Sequence, residues 1–163
     1  NLQRAANSGE LESLMDWKPV RPGDWFHIAP GTVHAIGAGV TLVEIQQNAD
    51  VTFRLYDYGR PRELHLVEGV AVSKAEPYTD NRHGKLKLHA DLELLSCCPS
   101  FSVYYGVGRS FESLHEPYYW LIPIQGSIAT GTATYTAGSV LYGQIEGEVL
   151  VSPDFSFLAA FAK

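Results

Sequence analysis

The sequence predicts a mainly β protein, a barrel or sandwich of many short strands accompanied by a few short helices. From Trp25 onward, short apolar runs alternate with Gly and Pro punctuation. The C-terminal runs KLKLHADLELLSC, FSVYYGV, YYWLIPIQGSIATGTATYTAGSVLYGQ and EVLVSPDFSFLAAFA are rich in the aromatic and β-branched residues that suit a pleated, half-buried surface. With 163 residues, 45% of them hydrophobic, the chain can bury one ordinary core or two small ones, which excludes a disordered tail.

The opening LQRAANSGELESLMDW places Leu2, Ala5, Ala6 and then Leu11, Leu14, Met15 at helical spacing interrupted by Gly9, and so predicts two short helices. Ser8 or Asn7 is the expected cap of the second, with Glu10 and Glu12 in its first turn, where negative charge favours a helix N-terminus. The apolar run WFHIA then stops at Pro30 and Gly31, His34 follows in a Pro-Gly-Thr-x-His turn, and an apolar run resumes at Val40. An even spacing along an extended segment puts Asp50, Thr52 and Arg54 on one face of a predicted strand. RELHLVEGVAV, after Pro61, predicts one helix with Leu64, Val67 and Ala71 on one side and Gly69 weakening it. The polar, turn-rich EPYTDNRHG then separates a first unit, 1–75, from a second, 76–163. In the second, Ile128, Thr130, Thr132 and Thr134 alternate with Ala129, Gly131, Ala133 and Tyr135.

Net charge is −6 without a Lys/Arg cluster, so the electrostatic footprint of a nucleic-acid or anionic-membrane binder is absent. No apolar run approaches the roughly 20 residues needed to span a bilayer, and no signal-peptide pattern is present. Cys97 and Cys98 are adjacent, point to opposite faces of a strand and have no third cysteine to pair with; a reducing cytoplasm is the simplest reading, and nothing nearby in sequence suggests a reactive thiol.

Two side chains stand out chemically. A histidine on a tight turn can present one ring nitrogen to a metal, although for His34 taken alone a hydrogen-bonded turn histidine is the simpler account. Arg54 can hold an anionic oxygen in a fixed fork, or pair with Asp50, Asp57 or Glu44 at a surface. His27 reads as surface or core polar, and His83 and His89 as exposed. His115 and Glu116 do not share a strand face. Tyr56, Tyr58, Tyr118, Tyr119 and Trp120 read as core packing, with stacking on a sugar as the functional alternative.

The segment PGTVHAIGAGVTLVEIQQNADVTFRLYDYGRPRELH resembles the central signature of the type I mannose-6-phosphate isomerases in their short bacterial form, which are cupin-fold enzymes. The likeness runs from about Pro19 to about Val72 and fades beyond. It implies a cupin-type double-stranded β-helix or jelly roll followed by a smaller cupin-like β unit. It further implies interconversion of mannose-6-phosphate and fructose-6-phosphate through a cis-enediol, with zinc as cofactor and a small sugar phosphate as the partner. His34 matches the zinc ligand of the GT-x-HA turn, Arg54 matches an arginine of the substrate pocket implicated in catalysis, and Asp50 matches an aspartate proposed for proton handling or ring opening. The family's other zinc ligands, a Q-x-H and then a glutamate, have no counterpart before His34. Since the chain also starts at Asn1, the expectation is a C-terminal portion of a longer enzyme that needs its missing N-terminal segment and is inactive alone. A non-catalytic cupin-like binding or assembly module without the metal is the alternative.

Overall fold

The computed structural model describes every residue except 1, 50, 90, 117 and 146. In chain order its elements are α1 (Leu2–Ser8), a 3-10 turn (Glu10–Leu14), β1 (Asp24–Phe26), α2 (Leu66–Val72), β2 (His83–Lys85), β3 (Leu92–Cys97) and β4 (Phe101–Val107). A second 3-10 turn (Ser110–Ser113), β5 (Tyr119–Gln125), β6 (Ser127–Thr130), β7 (Ala133–Thr136), β8 (Leu141–Gly143), β9 (Val149–Val151) and β10 (Ser156–Ala162) complete it. The fold is mainly antiparallel β with few helices, in keeping with the cupin-like expectation. It divides into two compact units, one of Asn1–Pro22 and Ile28–Asn81, the other of Gly23–His27 and Arg82–Lys163.

The second unit holds the sheets. β10 lies at the centre of a five-stranded sheet ordered β3-β4-β10-β5-β8, and β6 is the middle of a three-stranded sheet ordered β7-β6-β9. Alternation then decides what is buried. Tyr119 and Leu121 of β5, Phe157, Ala159 and Phe161 of β10, Ile128 of β6 and Val149 of β9 form one apolar core with Phe111 and Phe155. Gly106 lets the Phe157 ring lie directly on β4, because a Cβ there would come within 2.4 Å of the ring. The threonine-rich run is a hairpin, with Thr130 opposite Ala133 and Ile128 opposite Tyr135, so the single alternating face expected through Thr134 does not exist. Gly131, at φ 58°, makes the reversal. Tyr119 is buried as expected, whereas Tyr118 and Trp120 are exposed and stack with Tyr142 of β8. β1 pairs with β2, and His27, half-buried, shares a 2.8 Å hydrogen bond with Ser96.

The first unit is helical and irregular. Its core is Ala5, Ala6, Leu11 and Leu55, with Leu2, Val33, Tyr56, Leu66 and Val70 packed against it. Two helical pieces occur where expected, but Gly9, at φ 78°, takes the cap position of the second; Ser8 Oγ accepts a long 3.4 Å bond from the Glu10 amide and donates back to the Ala5 carbonyl. The expected strand through Arg54 is not formed: residues 51–54 lie in no strand, and the Arg54 amide and carbonyl bond to the imidazole and amide of His65 in place of a ladder partner. In α2 the buried face is Leu66, Gly69 and Val70, and Val67 is 72% exposed. Gly69 is the residue of closest approach: a Cβ there would fall 2.7 Å from Leu55 Cδ2 and 3.2 Å from Phe53 Cβ. The expected apolar side therefore faces outward, since the helix docks through its glycine.

Candidate functional site

His34 sits just past a turn fixed at several points. Gly31 adopts φ 84°, the Thr32 amide donates to the Ala29 carbonyl at 3.1 Å, and the Lys74 amide donates to the Gly31 carbonyl at 2.8 Å. A Cβ on Gly31 would meet the Val72 carbonyl at 2.7 Å, so the turn lies against the end of α2 only because this residue is glycine. The His34 side chain is exposed, with Nδ1 2.9 Å from the Thr32 carbonyl oxygen. A carbonyl can only accept, so Nδ1 carries the proton and the Nε2 lone pair is left free. That tautomer, held by a backbone acceptor, suits a metal ligand. Among the described residues there is no group of three or more His, Cys, Asp or Glu able to hold a metal ion. His34 thus fits one corner of a zinc site, and the described residues do not complete the set of about three that a catalytic zinc uses.

Arg54 is half-buried and held at three points by the segment 63–65. Its amide donates to His65 Nδ1 at 3.1 Å, its carbonyl accepts from the His65 amide at 2.8 Å, and its Nη1 donates to the Glu63 carbonyl at 3.2 Å. Among the described residues no carboxylate forms an ion pair with it, and Asp57, one of those suggested at the sequence level, is taken by Arg60 and Arg62. Asp50 lies outside the described residues.

Between Arg54 and His65 the chain closes on Asp57. Tyr58 at φ 55° and Gly59 at φ 73° reverse the direction, and both following arginines return to the carboxylate. Arg62 Nε donates to Oδ2 at 2.6 Å and its Nη2 to Oδ1, while Arg60 Nη2 donates to Oδ1 at 2.7 Å. Asp57 is 4% exposed, and the Arg62 bonds, reinforced by the charge of Arg60, hold its carboxyl below the usual range despite the opposing effect of burial. Arg60 also lies over the Tyr58 ring, 5.8 Å from its centroid. Sequence reasoning did not single out Asp57, Arg60, Arg62 or His65 as a set. The available signal was an aspartate inside the apolar run RLYDYG with two arginines within five positions of it.

The second unit offers less for an anionic substrate. One cleft, about 330 Å³, is lined by Tyr119, Thr130, Tyr135, Leu141 and neighbours, with no charged side chain among the described residues. Another, about 260 Å³, contains Arg109, but that guanidinium donates to the Val149 carbonyl and to Glu112. Cys97 corrects an expectation: Lys163 Nζ lies 2.8 Å from its sulfur, and that hydrogen bond, with help from Ser102, lowers the thiol pKa. Cys97 and Cys98 are both free thiols. No helix among the described residues is long and apolar enough to cross a membrane.

No family model matches the chain, and no solved structure matches it. Its curated relatives agree with one another. It is 34% identical over 156 residues to the mannose-6-phosphate isomerase ManA of Bacillus subtilis, covering 89% of this chain and 48% of that protein. It is 29% identical over 161 residues to the mannose-6-phosphate isomerase of Streptococcus mutans, covering 94% of this chain and 50% of the relative. The probable mannose-6-phosphate isomerase GmuF of B. subtilis is 30% identical over 163 residues, with 93% and 50% covered. The chain spans about half the length of the curated relatives it matches. Along nearly all of its own length, then, this chain is similar to about half of each of these bacterial relatives.

Proposed function

We propose that this chain carries part of the active site of a zinc-dependent mannose-6-phosphate isomerase, the remaining zinc ligands lying upstream in the complete protein. The observation that carries the reading is Arg54: its backbone is held by His65 at two points and its guanidinium donates to the Glu63 carbonyl, yet it pairs with no carboxylate among the described residues. The names of the relatives supply the substrate class, a six-carbon sugar phosphate. Moving a proton between C2 and C1 passes through a cis-enediol whose oxygens gain negative charge. Arg54 presents fixed donors to those oxygens or to the phosphate, where a preorganised charge is worth most. Asp50 would handle a proton at the sugar ring, as the family pattern suggests. His34 would contribute Nε2 to a zinc ion, which when bound acts as a Lewis acid on the substrate oxygens. A net charge of −6 without a Lys/Arg cluster in the sequence fits a small substrate read by a local arginine. A reducing cytoplasm suits the free thiols.

A metal-free cupin-like binding or assembly module is the competing reading, favoured by the lack, among the described residues, of a group of three or more potential metal ligands. The two separate on the complete protein: turnover of mannose-6-phosphate with stoichiometric zinc supports the isomerase, and neither property in the folded protein supports the module.

A further inference from the structure

Resting on the catalytic reading of Arg54, we propose that His65 is a positioning residue: it supplies from one side chain and one backbone amide the pairing that a neighbouring strand would give Arg54. In an antiparallel ladder a hydrogen-bonded pair exchanges two N–H···O bonds. Here His65 donates its amide to the Arg54 carbonyl at 2.8 Å, while the Arg54 amide donates to the imidazole Nδ1 at 3.1 Å, a ring nitrogen in place of a carbonyl. An amide can only donate, so His65 is neutral with its proton on Nε2, the opposite tautomer to His34. The imidazole is itself held. Its ring meets Phe53 edge-on at 6.0 Å, and the His65 carbonyl accepts from the Gly69 amide at 2.8 Å, which ties it to the first turn of α2. α2 in turn packs through Gly69 against Phe53 and Leu55, the residues flanking Arg54. Extended chain lacking a strand partner would otherwise leave the Arg54 backbone free to shift, and a displacement of about 1 Å at a reacting group can cost on the order of a hundredfold in rate.

The test is made in the full-length enzyme with three variants. His65→Phe keeps a ring against Phe53 and removes the acceptor. His65→Asn restores an acceptor near the place of Nδ1, and Arg54→Lys serves as the control on the underlying reading. Expected for His65→Phe is a kcat lowered about ten- to a hundredfold with KM near native and zinc content unchanged. His65→Asn should recover most of that loss, and exchange of the Arg54 amide proton should be fast in His65→Phe and slow in wild type and His65→Asn. Near-native kcat in His65→Phe beside an impaired Arg54→Lys overturns the positioning role, as does equal loss in the Phe and Asn variants. Should His65→Phe not fold, His65→Gln, whose amide reaches one carbon too far, takes its place with the same expectations. Near-native kcat in Arg54→Lys instead overturns the catalytic reading of Arg54, and amide exchange then still reports whether His65 holds its backbone.

Discussion

Arg62 grips Asp57 at both carboxylate oxygens from five residues away, and the carboxylate it grips is almost wholly buried. The loop of Tyr58 to Pro61 is thereby closed into a knot of charge rather than by apolar packing. Its folded pKa lies below the ordinary value, so the stabilisation is complete above the unfolded value of about 3.9 and is lost as the pH falls through the folded one. Glu93 and Asp154 in the other unit are lowered as well, the first by its bond from Lys87 and the second by its bonds from Ser152 and Gln125. Thermal midpoints followed from neutral pH downward should therefore decline at acid pH in wild type. Asp57→Asn should lower the neutral midpoint by several degrees and make the acid decline shallower. A mutant whose curve coincides with wild type at every pH would show that the knot carries no stability.

Arg54 should act on the transition state more than on folding. Lysine keeps the charge and loses the fork, so in the full-length enzyme Arg54→Lys should leave zinc content and thermal midpoint near native while kcat falls by about two orders of magnitude, as when one aimed donor is removed. Steady-state kinetics beside metal analysis decides it, and a near-native kcat returns Arg54 to a structural role.

His34→Ala in the full-length protein should lower zinc content and activity together, because the free Nε2 has no substitute among its neighbours. The 163-residue chain alone, in which His34 belongs to no group of three or more potential ligands among the described residues, should keep no stoichiometric zinc through gel filtration. Full zinc occupancy in the mutant would mean that His34 is a turn residue only.

Gly106 tests the core of the second unit. An alanine methyl there would sit 2.4 Å from Phe157 Cζ and 2.6 Å from Ser110 Oγ, and Phe157 is fully buried, so the ring cannot move aside. Overpacking of this kind costs about 1–3 kcal/mol. Urea unfolding of Gly106→Ala should show a lower midpoint by that amount, and an unchanged midpoint would contradict the packing of Phe157 onto β4.

Cys97 should alkylate faster than Cys98 at neutral pH, since Lys163 favours its thiolate. Peptide-resolved iodoacetamide labelling should show this preference in wild type and its loss in Lys163→Gln. Equal labelling of both cysteines in wild type would remove Lys163 as the cause.

The strand-rich second unit was legible because alternation and β-branched content are local properties: SFLAAFA and YYWLIPIQ read as strands and are strands. What escaped were features set by partners distant in sequence. VTFR has the composition of a strand, yet a strand exists only beside another, and pairing is not written in composition. The docking face of α2 inverted because helical periodicity counts side chains, whereas here the contact is made by the absence of one at Gly69. His34 and Arg54 were visible through a family resemblance, while the Asp57 knot and the His65 brace depend on a chain reversal at Tyr58 and Gly59 that two residue types alone do not announce. The reactive setting of Cys97 depends on Lys163, sixty-six positions away.

The placing of β10 between β4 and β5 sets the order in which the second unit can be made. Both neighbours are synthesised before the strand that joins them, and neither pairs with the other. On the ribosome β3 with β4 and β5 with β8 can form only as separate ribbons, each with an open edge. The five-stranded sheet closes only when Ser156–Ala162 emerges, so the nascent chain carries exposed edges on β4 and β5 from their completion until then, and its folding is governed by long-range closure.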